Sequence, residues 1–247
     1  MGLTAVRGAL GFLTRLPIGH DERSWEAFRR SPVTFPLAGY VIGGFVSLPI
    51  LLPIPAEAVG LLFVAWVYLV TGITHADGLA DLADALVVHG TPSERRTVLK
   101  DTTVGVGALL SITILVLGVG LAGVALGSLP WTAIGLVVAA EVGAKLGMAA
   151  IACFGSATHE GLGSQLTDAS EPRSFVLPVL VTVPAVGATW PHPAAAVGLG
   201  MGVIGSFAVF ATARRRLGGV NGDVFGASNE VARLAALHAG VIAWTLW

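Results

Sequence analysis

Residues 104–129 carry no charged side chain, and six more runs are nearly as apolar, at about 35–53, 58–73, 131–153, 175–190, 193–213 and 231–247. A bilayer crossing needs ~20 mostly apolar residues, so these runs constrain the fold before any motif does. The 247-residue chain is 54% hydrophobic and 12% charged, with a mean hydropathy of +0.81. A water-soluble domain uses roughly 25% charged residues, which excludes an ordinary soluble enzyme. The runs are continuous rather than alternating in twos, against a β-barrel, and the 33 glycines suit closely packed membrane helices. The expectation is an all-α polytopic transmembrane bundle of about 6–7 spans, one integral membrane domain over 1–247. Prolines 53, 55, 130, 172, 191 and 193 mark boundaries, since proline removes a donor and clashes with the preceding turn. Runs 58–73 and 175–190 are the shortest for a crossing.

Charge supplies the orientation. Under seven spans, the loops near 54–57, 130 and 191–193 contain no Lys or Arg, whereas 1–34, 74–103, 154–174 and 214–230 contain twelve of the fourteen. The positive-inside rule then makes the N-terminus and the three long loops cytoplasmic. Leu3, Val6, Leu10 and Leu13 recur at helical steps, giving either an amphipathic helix on the membrane surface or a capping helix packed on the bundle. The stretch Ala9–Thr14 is short, ends at Arg15 and lacks a cleavage pattern, so no cleavable signal peptide is expected. A net charge of −1 offers no footprint for nucleic acid, and none is expected as a partner. The single Cys153 allows no internal disulfide. No internal repeat or low-complexity segment stands out.

The sharpest chemical signal is Thr74-His75-Ala76-Asp77-Gly78-Leu79-Ala80-Asp81-Leu82-Ala83-Asp84. On a helix the three aspartates fall at about 0°, 40° and −20°, one narrow stripe, with Leu79, Leu82 and Leu86 free to pack the other face. Like charges at this spacing oppose helix formation. A divalent cation reverses that cost, and Mg²⁺ takes one or two carboxylates plus substrate phosphate oxygens. The competing reading is a solvated acidic face. His75 either orients an aspartate, relays a proton or is a plain interfacial histidine.

Two more polar clusters fall on the same side. Glu94, Arg95, Arg96, Lys100 and Asp101 lead into Thr102-Thr103-Val104-Gly105-Val106-Gly107; Lys100 is placed to reach a phosphate and Asp101 to add a carboxylate. Arg214-Arg215-Arg216 precede Gly218, Gly219, Asn221, Gly222, Asp223 and Gly226. These arginines are either a positive-inside anchor or a phosphate clamp, and the glycines permit tight turns and close backbone approach to a ligand. Glu141 and Lys145, at i, i+4 inside a span, form a structural ion pair or place Lys145 in a water-filled cavity holding a substrate anion. No P-loop or dinucleotide fingerprint is present. Together the parts suggest a Mg²⁺-dependent transferase acting on an activated phosphate diester or anhydride.

The segment His75–Asp84 resembles the H-x-D-G-L-A-D-x-x-D signature of the cobalamin synthase family, the adenosylcobinamide-GDP ribazoletransferases. Phe12-Leu13-Thr14-Arg15-Leu16-Pro17, Phe35-Pro36-Leu37, Lys100-Asp101, Gly161-Leu162-Gly163 and the Gly218–Gly226 block are similar family features, in family order. The resemblance implies that α-ribazole or its 5′-phosphate attacks adenosylcobinamide-GDP through the ribose 3′-hydroxyl. GMP leaves, and adenosylcobalamin or its 5′-phosphate forms. It further implies Mg²⁺, the cell inner membrane with the bilayer as a partner, and an active site facing the cytoplasm; a homo-oligomer is allowed. By the same resemblance, Asp77, Asp81 and Asp84 hold metal with Asp223 as a fourth ligand, and Lys100 and Arg214 contact phosphate. Lys145, Gly218, Gly219, Asn221 and Gly222 join them as substrate-binding positions. Asp84 or Asp101 accepts the attacking hydroxyl's proton, with His75 as a further catalytic candidate. The chain departs from the family at Thr102-Thr103-Val104-Gly105, where a Ser-Arg-Ile-Gly-type stretch is usual, at Asn221 for threonine and at Lys145 for arginine. A CDP-alcohol phosphotransferase-like enzyme is disfavoured, because Ala83-Asp84-Ala85 lacks that pattern's Ala-Arg. A transporter would more naturally place its acids at the bilayer midplane.

Overall fold

Proline and short polar side chains divide the chain into helices much as the apolar runs suggest. The computed structural model describes residues 2–19, 21–99, 101 and 103–247. Among these the α-helices are α1 Gly2–Leu13, α2 Glu22–Arg29, α3 Thr34–Val46, α4 Ala56–Thr71, α5 Thr74–Val87, α6 Pro92–Val98, α7 Val106–Gly127, α8 Ile134–Phe154, α9 Leu162–Thr167, α10 Val176–Val186, α11 Ala194–Arg216 and α12 Gly222–Leu246. The described residues form no sheet, only an isolated bridge between Ala157 and Val220. Asp21 starts α2 by accepting from Ser24 N at 2.7 Å, and Thr91 starts α6 in a capping box with Glu94; each satisfies an orphan N–H of the first turn.

Four apolar helical segments among the described residues are long enough to cross a membrane: Thr34–Leu51, Val106–Gly127, Trp131–Phe154 and Ala194–Arg216. A fifth is reached only if α4 and α5, bent by 97° at their junction, count as one broken span. This is fewer than the 6–7 expected. Run 58–73 becomes the 16-residue α4, run 175–190 yields only the 11-residue α10 with Pro184 inside it, and the last run belongs to α12, which carries Asp223, Glu230 and Arg233. The segment 214–230, expected as a loop, becomes helical at Gly222.

Apolarity and burial run in opposite directions in two of these helices. The uncharged α7 is only 28% buried, while the segment containing α8, with Glu141 and Lys145, is 89% buried. Lipid is as apolar as leucine, so an apolar surface need not hide, whereas a charge in the bundle must find a partner. The core accordingly lies around α8, with α3, α11 and α12 packed against it.

The N-terminal helix corrects the periodic reading. Leu3 is exposed, Val6 and Leu10 are half-buried, and of that stripe only Leu13 is buried. The buried face of α1 is instead made of Ala5, Gly8, Ala9 and Gly11, which bring it against α2 and α3.

Candidate active site

The carboxylate helix is real: α5 runs Thr74–Val87, with Leu82 buried and Leu79 and Leu86 packed on the core. Its position follows from glycine at two places. A Cβ on Gly78 would lie 2.8 Å from Asp223 Cα, and one on Gly226 would lie 3.0 Å from His75 Cα. Without side chains at these two points, the backbones of α5 and α12 touch, and the two acidic motifs, far apart in sequence, become one wall. Asn221 starts α12 there: its Oδ1 accepts from Val224 N at 3.1 Å, and its Nδ2 donates to Asp223 Oδ2 at 2.7 Å.

That wall faces a cavity of about 1420 Å³. Asp77, His75, Gly222, Asp223 and Gly226 line it from α5 and α12, and Leu162 from the start of α9. The facing wall comes from the N-terminus: Phe12, Thr14, Arg15, Leu16 and Trp25. Trp25 Nε1 donates to Gln165 Oε1 at 3.1 Å, tying α2 to α9. Arg15 is anchored by its own N–H, which donates to Val70 O at 2.7 Å. Gly72, in the left-handed region at φ +71°, ends α4 beneath it; a Cβ there would stand 2.7 Å from Arg15 Nε. Among the described lining residues, Arg15 is the one arginine or lysine. The sequence motif contained Arg15, but the Leu periodicity, which left a surface helix and a capping helix both open, did not show its place in the cavity wall.

The acidic stripe divides its labour. Asp77 is exposed on the cavity wall. Asp81 is half-buried, and desolvation together with Asp223, Asp77 and Asp84 pushes its carboxyl up to about 6. Burial likewise raises Asp223, against the hydrogen bond from Asn221, with Asp77 adding to the rise. Asp84 turns away to the start of α7, where Oδ2 accepts from Gly105 N at 2.7 Å and Oδ1 from Ala108 N at 2.9 Å. It satisfies two N–H groups of the first turn and complements the positive helix end.

Other sequence candidates lie outside the cavity lining. Lys145 is fully buried and pairs with Glu141, the structural alternative to an open anion site. Arg214 is exposed at the end of α11, its guanidinium 5.7 Å from the Phe210 ring centre. Gly218, at φ +83°, turns the chain between α11 and α12. A Cβ on Gly219 would lie 2.4 Å from Ser156 O, so the close approach is to the protein's own backbone. Asp101 is exposed and accepts from Thr103 N at 3.0 Å. Lys100 lies outside the described residues.

Among the described residues, no three Asp, Glu, His or Cys side chains are grouped to hold a metal ion by themselves. The four-aspartate cage expected from the sequence is therefore absent as a preformed unit, in part because both oxygens of Asp84 serve α7. The donor set still fits Mg²⁺, which keeps several waters and takes one or two carboxylates with phosphate oxygens. A cation would relieve both the burial of charge and the repulsion from Asp223, Asp77 and Asp84 that raise the Asp81 carboxyl.

The family model for cobalamin-5-phosphate synthase matches residues 5–241. A protein of Halorubrum lacusprofundi named adenosylcobinamide-GDP ribazoletransferase is 51% identical, with 99% of each chain covered. One of the same name from Haloquadratum walsbyi is 46% identical over the whole of both chains. Another, from Deinococcus radiodurans, is 37% identical over 97% of this chain and 86% of its own. No solved structure matches. With a family match spanning nearly every helix that builds the cavity, the chain belongs to the cobalamin-5-phosphate synthase family.

Proposed function

We propose that this chain joins adenosylcobinamide-GDP to α-ribazole or its 5′-phosphate and releases GMP. The observation that carries the reading is the meeting of Asp77 and Asp223 on one wall of the 1420 Å³ cavity that Arg15 also lines. Typical small-ligand sites occupy ~300–1,000 Å³, and a nucleotide-linked corrinoid calls for more. The ribose 3′-hydroxyl oxygen forms a bond to the cobinamide-linked phosphorus, the bridging P–O bond to GMP breaks, and the hydroxyl proton passes to a carboxylate of the acidic wall.

Arg15 supplies a planar, always charged donor fork for the diphosphate, and Gly72 beneath it leaves that fork room. Phe12 and Trp25 give apolar surface to a large amphipathic substrate and exclude water from the reacting centre. Asp77 and Asp223, which share the cavity wall, are the residues that would hold Mg²⁺ together with phosphate oxygens, with Asp81 behind them on α5. When bound, Mg²⁺ neutralises charge on the diphosphate and polarises the attacked phosphoryl group. The basic residues concentrated in 1–34, 74–103, 154–174 and 214–230 support an orientation with the cavity open to the cytoplasm, in the cell inner membrane.

GMP release from adenosylcobinamide-GDP and α-ribazole 5′-phosphate, followed with and without Mg²⁺, tests the reading. Turnover that needs both substrates and Mg²⁺ supports it; hydrolysis without the nucleoside, or no release at all, rejects it.

A further inference from the structure

His75, on the cavity wall, meets Asn229, which in turn meets a set of charges in the bundle core. Arg233 Nη1 donates to both oxygens of Glu230 at 2.6 Å. Arg233 Nε and Lys145 Nζ both donate to Glu141. All four side chains are fully buried. Two acids and two bases balance there, and the arginine holds Glu230 as a carboxylate, a group that only accepts.

Asn229 connects this set to the cavity. Its Nδ2 donates to Glu230 Oε1 at 3.0 Å and lies 3.3 Å from His75 Nδ1. The carboxylate fixes which way the amide faces, because the reversed amide would aim Oδ1 at another acceptor. The observed orientation is kept even though it leaves Asn229 Oδ1 buried without a partner among the described residues, a costly arrangement. An amide nitrogen can only donate, so His75 Nδ1 must accept, and the ring proton sits on Nε2. Gly226, whose absent side chain lets α12 rest on His75, lies three residues before Asn229, on the same face of the helix. His75 lines the cavity, and among the described residues no hydrogen bond to Nε2 from the protein is seen.

We infer that Asn229 is a positioning residue that locks His75 in the Nε2–H form, so that His75 donates a hydrogen bond to a phosphoryl oxygen in the cavity and does not relay protons. The identity of that acceptor rests on the transferase reading above; the tautomer does not. Developing negative charge on a phosphoryl oxygen is stabilised by a donor already in place. The chain from Arg233 through Glu230 and Asn229 provides that preorganisation from the core.

The test uses the full-length protein in lipid bilayers with ¹⁵N-labelled histidine, His75 being assigned by the resonances lost in His75→Gln. At neutral pH the wild type is expected to show a protonated Nε2 and a bare Nδ1, and Asn229→Ala to give a mixture of tautomers. A wild-type Nδ1–H form, an even mixture, or no change in Asn229→Ala overturns the inference. GMP release provides a second readout. A glutamine amide nitrogen reaches close to the imidazole Nε2 position, whereas an asparagine nitrogen reaches close to Nδ1. His75→Asn should therefore lose about tenfold or more kcat beyond whatever His75→Gln loses, the worth of one hydrogen bond to a charged group. Equal losses in both variants contradict the donor role. Wild-type protein that releases no GMP contradicts the transferase reading, and the nitrogen spectra then still decide the tautomer.

Discussion

One helix connects two unlike ends of this molecule. Asp223, in the first turn of α12, lines the large cavity, and Trp244, near its other end, lines a small pocket of about 360 Å³. Twenty-one residues at 1.5 Å each separate them by about 32 Å. The cavity end holds Asp77, Asp223, His75 and Arg15. The opposite end holds Trp131, Trp190 and Trp247 as exposed rings and His192 stacked on Trp244 at 4.3 Å. Its connecting segments 47–55, 128–133 and 187–193 contain no Asp, Glu, Lys or Arg. Tryptophans belong at a membrane interface, where an apolar ring meets a wet edge. Carboxylates beside an arginine belong where an ion or a phosphate must be met. The same apolar composition thus ends in exposed tryptophans on one side and in the proposed reaction site on the other, with a neutral quartet of charges between.

The comparison can be broken in five places. The largest effect is expected between the ends: Glu141→Ala leaves Lys145 and Arg233 buried with one fewer acid and should cost about 3–5 kcal/mol of stability, seen as a lower Tm in detergent. A Tm close to wild type would mean that water reaches this core. At the cavity end, Asp223→Asn should reduce kcat by about a hundredfold or more while leaving the fold intact; turnover within a few-fold of wild type removes the acidic wall from the chemistry. Arg15→Ala should lose about 1.5–3 kcal/mol, the worth of hydrogen bonds to a charged group, and mainly as a raised KM for adenosylcobinamide-GDP. A pure kcat loss would separate Arg15 from substrate binding. Asp84→Ala should lower stability by about 0.5–2 kcal/mol through the lost cap of α7, and Asp84→Asn should retain much of that cap and of the activity. If Asp84→Asn is as inactive as Asp223→Asn, Asp84 belongs with the metal ligands after all. The smallest effect is expected at the far end, where Trp190→Ala should change kcat/KM by less than about twofold, as for an exposed side chain away from the site.

Much of this comparison could be read from the sequence, and the unread parts have physical reasons. Apolar runs and prolines located the helices, because lipid imposes a length on each crossing. Four or five segments among the described residues meet the length and apolarity of a crossing, against 6–7 expected, since α10 is short and α12 mixes charge with apolar residues. The aspartate stripe was legible because helical spacing is local. Its division was not: Asp84 caps α7 from 21 residues away, and no spacing rule links those positions. The i, i+4 pair Glu141–Lys145 could be seen, but not that Arg233, 92 residues later, closes it into a network. Gly226 looked like a turn or ligand-facing glycine and Gly78 was only one position of the aspartate helix, whereas the two are the points where α5 and α12 touch. The N-terminal wall stayed hidden because α1 buries alanine and glycine, while hydrophobic periodicity follows the larger side chains.

The most direct measurement is Mg²⁺-dependent GMP release by the wild type beside Asp77→Asn and Asp223→Asn, purified into the same lipid and matched for Tm. The account predicts GMP release by the wild type only when the nucleoside and Mg²⁺ are both present, and almost none from either variant. Two variants that turn over at the wild-type rate would place the reaction somewhere other than the seam between α5 and α12.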